Sequence, residues 1–326
     1  MKNKKTAIIF GITGQDGSLL ADLLLKKGYK VVGQTRLKTK TNCDNLERLG
    51  ILSRIEIISI SKPDIVSMVS LFDSIQPCEV YNLSGQSSIG MSFSLPVETF
   101  NSQAIFTIIL LEALRKVEKP FKFFNAGSGD CYGDTSNGAA NENTPFLPSN
   151  PYAVAKIASF WSVANYRESY KIFACTGILF NHESVHRTVK FVTRKIISAA
   201  VRISLGSDEL LYLGDLSIKR DWGFAPEYVE AMWRMLQQNR PLDLIISTVE
   251  SHTLQDFVAL SFKSVGLEWK KYVIAEDVEL RPSDARENHG NPSKAKMILD
   301  WESSYNIDEL VERLIKDEID YQGAKI

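Results

Sequence analysis

The chain has 326 residues, which is enough for one large core or two lobes. It is 44% hydrophobic and 24% charged with a formal net charge of −1, so composition favours neither a nucleic-acid surface nor a membrane surface. The four cysteines form no CxxC pair, which argues against a disulfide framework and against a metal site. We expect a cytoplasmic protein, because the start "MKNKKTAIIF" is not typical of a signal peptide and no segment offers the roughly 20 apolar residues of a membrane span.

Short apolar runs typical of β-strands alternate with helical patterns over the first half of the chain. The strand-like runs are 6–10, 29–34, 54–60, 79–84, 121–126 and 171–180. Apolar residues at helical spacing mark 17–28, 64–75 and 103–117 between them. This alternation predicts an α/β fold in which a doubly wound parallel sheet is covered by helices on both faces.

A glycine-rich loop, "GITGQDG", joins the first predicted strand to the first helix. Gly11, Gly14 and Gly17 would allow a tight turn, a close backbone approach and helix amides directed at a pyrophosphate. Their spacing is GxxGxxG rather than GxGxxG, and a plain strand-to-helix turn is the alternative. Position at the first turn of an alternating fold favours a dinucleotide site. The expected cofactor-binding residues of the loop are Gly11, Thr13, Gly14, Gln15, Asp16 and Gly17.

The end of the second strand indicates which dinucleotide is bound. An acid there would accept from the ribose 2′-hydroxyl of NAD, whereas a 2′-phosphate requires a cation. The sequence is "GQTRLKTK", with Arg36 and Lys38 and with no acid before Asp44. The two cations favour NADP, and a solvated basic turn is the alternative.

The strand–helix rhythm stops near residue 180, where proline and charge become more frequent. We expect an NADP-binding Rossmann domain at 1–180, with a returning segment near 214–240. The remainder, 181–326, is expected to be mainly a smaller, partly discontinuous substrate-binding lobe.

A tyrosine and a lysine four residues apart occur in "NPYAVAKIASFW". Helical spacing puts Tyr152 and Lys156 on one face, where an ammonium group would stabilise a phenolate and make it a usable base. The YxxxK pattern is common by chance. Its order, after a glycine turn and after a fifth strand that ends near Ser128, makes it specific.

These motifs together resemble those of the extended short-chain dehydrogenase/reductases, and more closely the GDP-mannose 4,6-dehydratase family. The resemblance extends from about residue 6 to 315, and "GILFNHES" and "KRDWG" are its most specific segments. The other matching segments are "GITGQDGSLLADLLLKKGYKVVG", "EVYNLSGQSS", "SNPYAVAK", "FVTRKI" and "RPSDA".

The resemblance implies roles for two residues that follow the fifth strand. The family motif there is Ser-Thr-Ser-Glu-Leu-Tyr-Gly and this chain has "GSGDCYG", so Ser128 stands at the threonine position and Asp130 at the glutamate position. Tyr152 would take the sugar O4 proton with support from Lys156 and Ser128. Asp130 would remove the C5 proton and help the C6 hydroxyl leave as water. The alternative is that Asp130 caps a local turn.

The resemblance also implies further binding residues. Those expected at the cofactor, besides Tyr152 and Lys156, are Leu83, Ser84, Gly85 and His182. Those expected at the sugar nucleotide are Ser87, Ser88, Asn181, Glu183, Thr193, Lys195, Arg220 and Arg281. Ser88 stands where the family usually has a histidine, which leaves room for a related sugar.

The function implied is NADP-dependent dehydration of GDP-mannose to GDP-4-keto-6-deoxymannose. One alternative is the same reaction on a GDP-heptose. Others are a C4 reductase or epimerase of a nucleotide sugar, which needs only Ser128, Tyr152 and Lys156, and a non-catalytic NADP-binding regulator. The expected assembly is a homodimer or a homotetramer, with the dimer face formed by 166–170 and the helices around "YAVAK".

Overall fold

The computed structural model describes residues 4–36, 43–276 and 284–323. Its strands are β1 (Thr6–Phe10), β2 (Lys30–Thr35), β3 (Glu56–Ser59), β4 (Glu79–Asn82), β5 (Lys122–Ala126), β6 (Ala174–Leu179), β7 (Asn181–Glu183), β8 (Leu211–Leu213), β9 (Lys219–Arg220), β10 (Trp222–Phe224), β11 (Leu244–Ile246), β12 (His252–Thr253), β13 (Val273–Ala275) and β14 (Glu287–Asn288). Its α-helices are α1 (Gln15–Lys26), α2 (Asp44–Arg48), α3 (Ile65–Ile75), α4 (Ile89–Ser94), α5 (Pro96–Phe100), α6 (Phe106–Lys116), α7 (Pro151–Tyr170), α8 (Val192–Ser204), α9 (Ala225–Gln237), α10 (Leu254–Lys263), α11 (Ser293–Leu299) and α12 (Ile307–Gln322).

A seven-stranded parallel sheet forms the larger part of the fold. Its strand order is β11-β6-β5-β4-β1-β2-β3. Successive strands are added on one side of β1 up to β3 and on the other side from β4 onwards, so the strand order reverses between β1 and β4. Residues of the central strands are apolar on both faces, and Ile8 and Ile9 of β1 are both fully buried under helices. The predicted Rossmann-like fold is confirmed, and the six predicted strands all belong to this sheet.

The seventh strand, β11, was not predicted from the sequence. It is only three residues long, which is too short for an alternating pattern to be recognised. It pairs in parallel with β6, and α9, which precedes it, packs beside α1. The chain therefore returns to the main sheet after leaving it.

The second half of the chain has a core of its own. Apolar residues of α8, α10 and α12, among them Ile196, Phe257 and Leu310, are buried together. Three small sheets accompany them: β10 with β7, β12-β9-β14, and β13 with β8. β7 follows directly after β6, so the small sheet that it forms with β10 lies at the carboxyl edge of the main sheet.

One continuous helical stretch, Pro96–Lys116, is long and apolar enough to cross a membrane by length and composition alone. The sequence offers no run of roughly 20 purely apolar residues, and this stretch also contains Glu98, Asn101 and Glu112. Half of its most apolar window is buried inside the protein, and α6 packs against α3 and α7. Core helices of soluble proteins have the same length and composition.

Candidate active site

A cleft of about 1840 Å³ opens at the carboxyl ends of β1, β4, β5 and β6. Ligands of open α/β sheets bind at this edge, where the strand order reverses. Each predicted site residue within the described ranges lines the cleft: Gly11, Thr13, Gly14, Gln15, Asp16, Gly17, Arg36, Leu83, Ser84, Gly85, Ser87, Ser88, Ser128, Asp130, Tyr152, Lys156, Asn181, His182, Glu183, Thr193, Lys195 and Arg220. Lys38 and Arg281 lie outside the described residues.

The glycine loop leaves no space for side chains at two positions. Gly11 has a φ of +82°, and a Cβ there would lie 2.7 Å from the Leu83 carbonyl oxygen. A Cβ on Gly17 would lie 2.2 Å from the Gly11 carbonyl oxygen. Gly14 is the last residue before α1, so the free amides of the first helical turn face the cleft. The cradle fits the pyrophosphate of a dinucleotide, which needs close backbone and helix amides.

An ion pair beneath this loop connects α1 to β7. His182 Nε2 lies 3.0 Å from Asp16 Oδ2, and the imidazole stacks on Tyr228 at 4.5 Å between ring centres. Burial opposes both charges, yet their mutual attraction holds the pKa of Asp16 down at about 2 and raises the pKa of His182 above its usual value. His182 is thus both a packed side chain and a residue of the cleft.

The predicted 2′-phosphate site has one described cation. Arg36 is a highly exposed side chain, and its Nη1 lies 3.6 Å from Glu98 Oε1 of α5. An ion pair this exposed contributes little stability, so Arg36 can exchange its partner for a phosphate at little cost.

Tyr152 and Lys156 lie on one buried face of α7. Asn150 caps the helix by accepting from the Ala153 amide at 2.8 Å, and Pro151 is its first residue. Lys156 Nζ donates to the Ala126 carbonyl at 2.8 Å and lies 5.6 Å from the centre of the Tyr152 ring. Burial lowers the pKa of Lys156 to about 8.

Ser128 interacts with both Asp130 and Tyr152. Its Oγ donates to Asp130 Oδ2 at 3.2 Å and accepts from the Asp130 amide at 3.2 Å. Burial and the Asp130 carboxylate raise the pKa of Tyr152, and the neighbouring Ser128 hydroxyl opposes that rise. The residue that caps the short 3₁₀ helix Gly129–Tyr132 is Ser128, and the Asp130 carboxylate faces the cleft.

Several predicted substrate residues bond to other groups of the protein. Thr193 Oγ1 donates to Glu183 Oε2 at 2.6 Å, and Lys195 Nζ donates to the Tyr212 carbonyl at 2.6 Å. Arg220 donates to Asp284 Oδ1 at 2.7 Å. Each contact lies at the cleft wall, where a bound anion could compete with the present partner.

Arg194, which lies between Thr193 and Lys195 in the sequence, does not line the cleft. It lies on the opposite side of α8, where it forms a buried ion pair with Glu318 of α12. On a helix, adjacent residues point about 100° apart, so its neighbours Thr193 and Lys195 can face the cleft while Arg194 does not.

Arg187 is a residue of the cleft that sequence reasoning missed. Its Nη1 donates to the His182 carbonyl at 2.7 Å and lies 3.3 Å from Glu183 Oε1. Its charge lowers the pKa of both Asp16 and Tyr152. No periodic pattern marks it, because it lies in an irregular segment after β7.

Comparison with known proteins identifies the family. The family model described as GDP-mannose 4,6 dehydratase matches residues 8–314. GDP-mannose 4,6 dehydratase 1 of Arabidopsis thaliana is 41% identical over 98% of this chain and 91% of its own length. The human GDP-mannose 4,6 dehydratase is 37% identical over 98% and 92%, and that of Sinorhizobium fredii is 38% identical over 98% of both.

Solved structures agree on the fold. A UDP-glucose 4-epimerase of Thermotoga maritima, solved with UDP-glucose, has a TM-score of 0.85 and 19% identity, covering 97% of this chain and 99% of that one. A dTDP-glucose 4,6-dehydratase of Bacillus anthracis, solved with NAD, has a TM-score of 0.83 and 18% identity over 97% of both chains. From its sequence over nearly its whole length, this chain belongs to the GDP-mannose 4,6-dehydratase family.

Proposed function

We propose that the protein dehydrates GDP-mannose to GDP-4-keto-6-deoxymannose with NADP, and that Ser128, Asp130, Tyr152 and Lys156 carry the chemistry. The observation that supports this most is that Tyr152, Ser128 and Asp130 line the same cleft, with Ser128 hydrogen-bonded to Asp130 and both of them acting on the pKa of Tyr152. This arrangement places a base for C4 oxidation beside a carboxylate for elimination. A C4 reductase or epimerase has no use for that carboxylate, and family membership also favours the dehydratase.

The side chains would act in sequence. A bound nicotinamide cofactor would supply the hydride acceptor for oxidation at C4 and the hydride donor for reduction at C6. Burial and the Asp130 carboxylate raise the pKa of Tyr152, so a phenolate at this position depends on the Lys156 ammonium and on Ser128 to stabilise it. As a phenolate, Tyr152 would take the O4 proton while C4 loses its hydride. The new 4-ketone acidifies C5, and Asp130 would remove the C5 proton and deliver it to O6, which leaves as water.

NADP is proposed as the cofactor because of Arg36, with Lys38 close in sequence and no acid at the end of β2. The glycine cradle and the amides of α1 would hold the pyrophosphate. Leu83, Ser84 and Gly85, at the end of β4, together with His182 would border the nicotinamide half.

The sugar nucleotide would bind on the other side of the cleft. Ser87, Ser88 and Asn181 are proposed to bind the hexose. Glu183, Thr193, Lys195 and Arg220 line the wall towards the second core and are proposed to bind the GDP moiety, together with Arg281. Planar guanidinium groups suit a diphosphate because they bind it bidentately.

We further propose a homodimer that pairs α7 and its neighbour across a two-fold axis. Val154 and Trp161, seven residues apart on α7, are about half exposed, and Phe100 and Ile105 extend this apolar face on the helix beside it. The four cysteines are free thiols, which suits the reducing cytoplasm.

The proposed lobes are a cofactor domain, 1–180 with the returning segment, and a substrate lobe formed mainly by 181–326. Supporting this, one core cluster joins residues of α1, β4 and β6 to residues of α9 and β11. Among the described residues, the core of α8, α10 and α12 includes none from the first half of the chain.

The test is incubation of the purified protein with GDP-mannose and a catalytic amount of NADP⁺, followed by the mass of the product. Loss of one water without accumulation of NADPH is expected. An unchanged mass with an altered C4 configuration would instead identify an epimerase, and consumption of substrate in step with cofactor would identify a reductase or an oxidase. A parallel reaction with a GDP-heptose compares the two sugars directly.

A further inference from the structure

The helical stretch between α5 and α6 contains a π-helical turn, Asn101–Ile105, beside the cleft. Here the Phe106 amide donates to the carbonyl of Asn101, five residues earlier, whereas an amide in an α-helix donates to the carbonyl four residues earlier. Such turns redirect a carbonyl and a side chain out of the helical ladder, and they are frequent at functional sites.

Gln103, in the middle of this turn, is almost fully buried and reaches the loop that follows β4. Its Nε2 donates to the Gln86 carbonyl at 2.7 Å, and the Gln86 amide donates to Ser102 Oγ at 3.2 Å. Gly85 has a φ of +113°, and a Cβ there would lie 2.5 Å from the Gln103 side chain. The loop Gly85–Ser88 thus rests directly on the π-helical turn.

The backbone of Gln103 contacts a second part of the site. Its carbonyl accepts from Ser159 Oγ of α7 at 3.0 Å and from Thr107 Oγ1 at 2.6 Å. Ser159 follows Tyr152 and Lys156 at helical spacing, so all three lie on the buried face of α7. One residue therefore bonds through its side chain to the loop and through its backbone to the helix of the proposed base.

We propose that Gln103 is a positioning residue that holds the loop Gly85–Ser88 in register with the reactive face of α7. It thereby keeps Ser87 and Ser88 in the position in which they bind the hexose. This role rests on the proposed function, because it assumes that the loop binds the sugar. The π-helical turn is the structural reason that both contacts come from one residue.

The first test is amide hydrogen exchange of the ligand-free protein. Q103M keeps the length of the side chain and removes the donor, and Q103E replaces the donor with an acceptor. Both variants are expected to accelerate exchange at the amides of Gln86 and Ser88 by about tenfold or more. The matched control is S162A. Ser162 lies on α7 and donates at 2.8 Å to the Ala158 carbonyl, so this variant removes a side-chain hydrogen bond within α7. If folded Q103M exchanges these loop amides at the wild-type rate, the proposal is overturned.

The second test separates KM from kcat. Q103M is expected to raise KM for GDP-mannose about tenfold with kcat changed less than about threefold, because the loop and not the base is displaced. Ser159→Ala, which leaves the Gln86 contact intact, is expected to lower kcat with KM unchanged. A wild-type protein without activity on GDP-mannose would refute the proposed function, while the exchange data would still decide whether Gln103 holds the loop. An unchanged KM in a Q103M protein whose loop exchanges faster would overturn the positioning role.

Discussion

Ser128 Oγ lies 3.2 Å from Asp130 Oδ2 and also accepts the Asp130 backbone amide. The serine, rather than the aspartate, is therefore the cap of the turn that follows β5. This geometry removes the main reason for reading Asp130 as a local cap and leaves its carboxylate at the cleft.

Asp130→Asn is expected to block elimination while C4 oxidation survives. The amide keeps the shape and a hydrogen-bond acceptor but cannot take the C5 proton, so turnover should fall about 100- to 10,000-fold. A burst of NADPH absorbance in a single turnover checks that oxidation persists. If Asp130→Asn turned over GDP-mannose at the wild-type rate, Asp130 would not be the C5 base.

The rate of C4 oxidation should fall as pH rises through about 8. Burial lowers the pKa of Lys156 to about 8, so the ammonium that stabilises negative charge on the Tyr152 oxygen is lost above that pH. The pH profile of kcat/KM for GDP-mannose measures this. Lys156→Met should have a low kcat/KM at every pH, without a decline near pH 8. If the decline persists in Lys156→Met, another group causes it.

Lys156→Met should also raise the free energy of unfolding. The folded pKa of Lys156 is about 8 against an ordinary 10.5, so the unfolded chain binds the proton more tightly and the buried lysine costs stability below pH 8. Lys156→Met removes this cost but leaves the Ala126 carbonyl without its donor, for a net gain of about 1–2 kcal/mol at pH 7. Urea unfolding at pH 7 and at pH 10.5 should show the gain shrinking as pH rises. A variant less stable than wild type at pH 7 would contradict the assignment.

His182→Phe should cost about 1–3 kcal/mol of unfolding free energy at pH 5, because it keeps the stack on Tyr228 but leaves Asp16 without its partner. The pKa of His182 is raised, so its contribution is present below its ordinary 6.5 and disappears as pH rises through the folded value. The pKa of Asp16 is about 2, so its contribution persists until pH falls towards 2. The difference between wild type and variant should be largest between about pH 4 and 6.5. A difference that is independent of pH from 4 to 9 would mean that the imidazole contributes only packing.

Trp161→Glu should convert the proposed dimer into a folded monomer. A carboxylate at this position would be buried without a partner if α7 met its copy, whereas in the monomer it would remain in solvent. Light scattering during size-exclusion chromatography measures the mass, and Val66→Glu, on an exposed residue of α3, is the matched control. A dimer that survives Trp161→Glu would place the interface elsewhere.

The sequence predicted the fold well because long, nearly all-apolar strands alternate with amphipathic helices. β11 escaped prediction because three residues carry no periodicity, and the π-helical turn at Gln103 escaped because its apolar surroundings read as ordinary helix. Asp130 and Tyr152 could be predicted because they lie in motifs. Arg187 and Glu98 could not, because only the folding of distant segments brings them to the cleft.

The most direct test of the internal redox cycle uses GDP-mannose that carries deuterium at C4, with catalytic NADP⁺. The account predicts that the deuterium appears at C6 of the 4-keto-6-deoxy product and that no labelled NADPH accumulates. Deuterium recovered in free NADPH, or retained at C4 of a product of unchanged mass, would contradict the proposed dehydration.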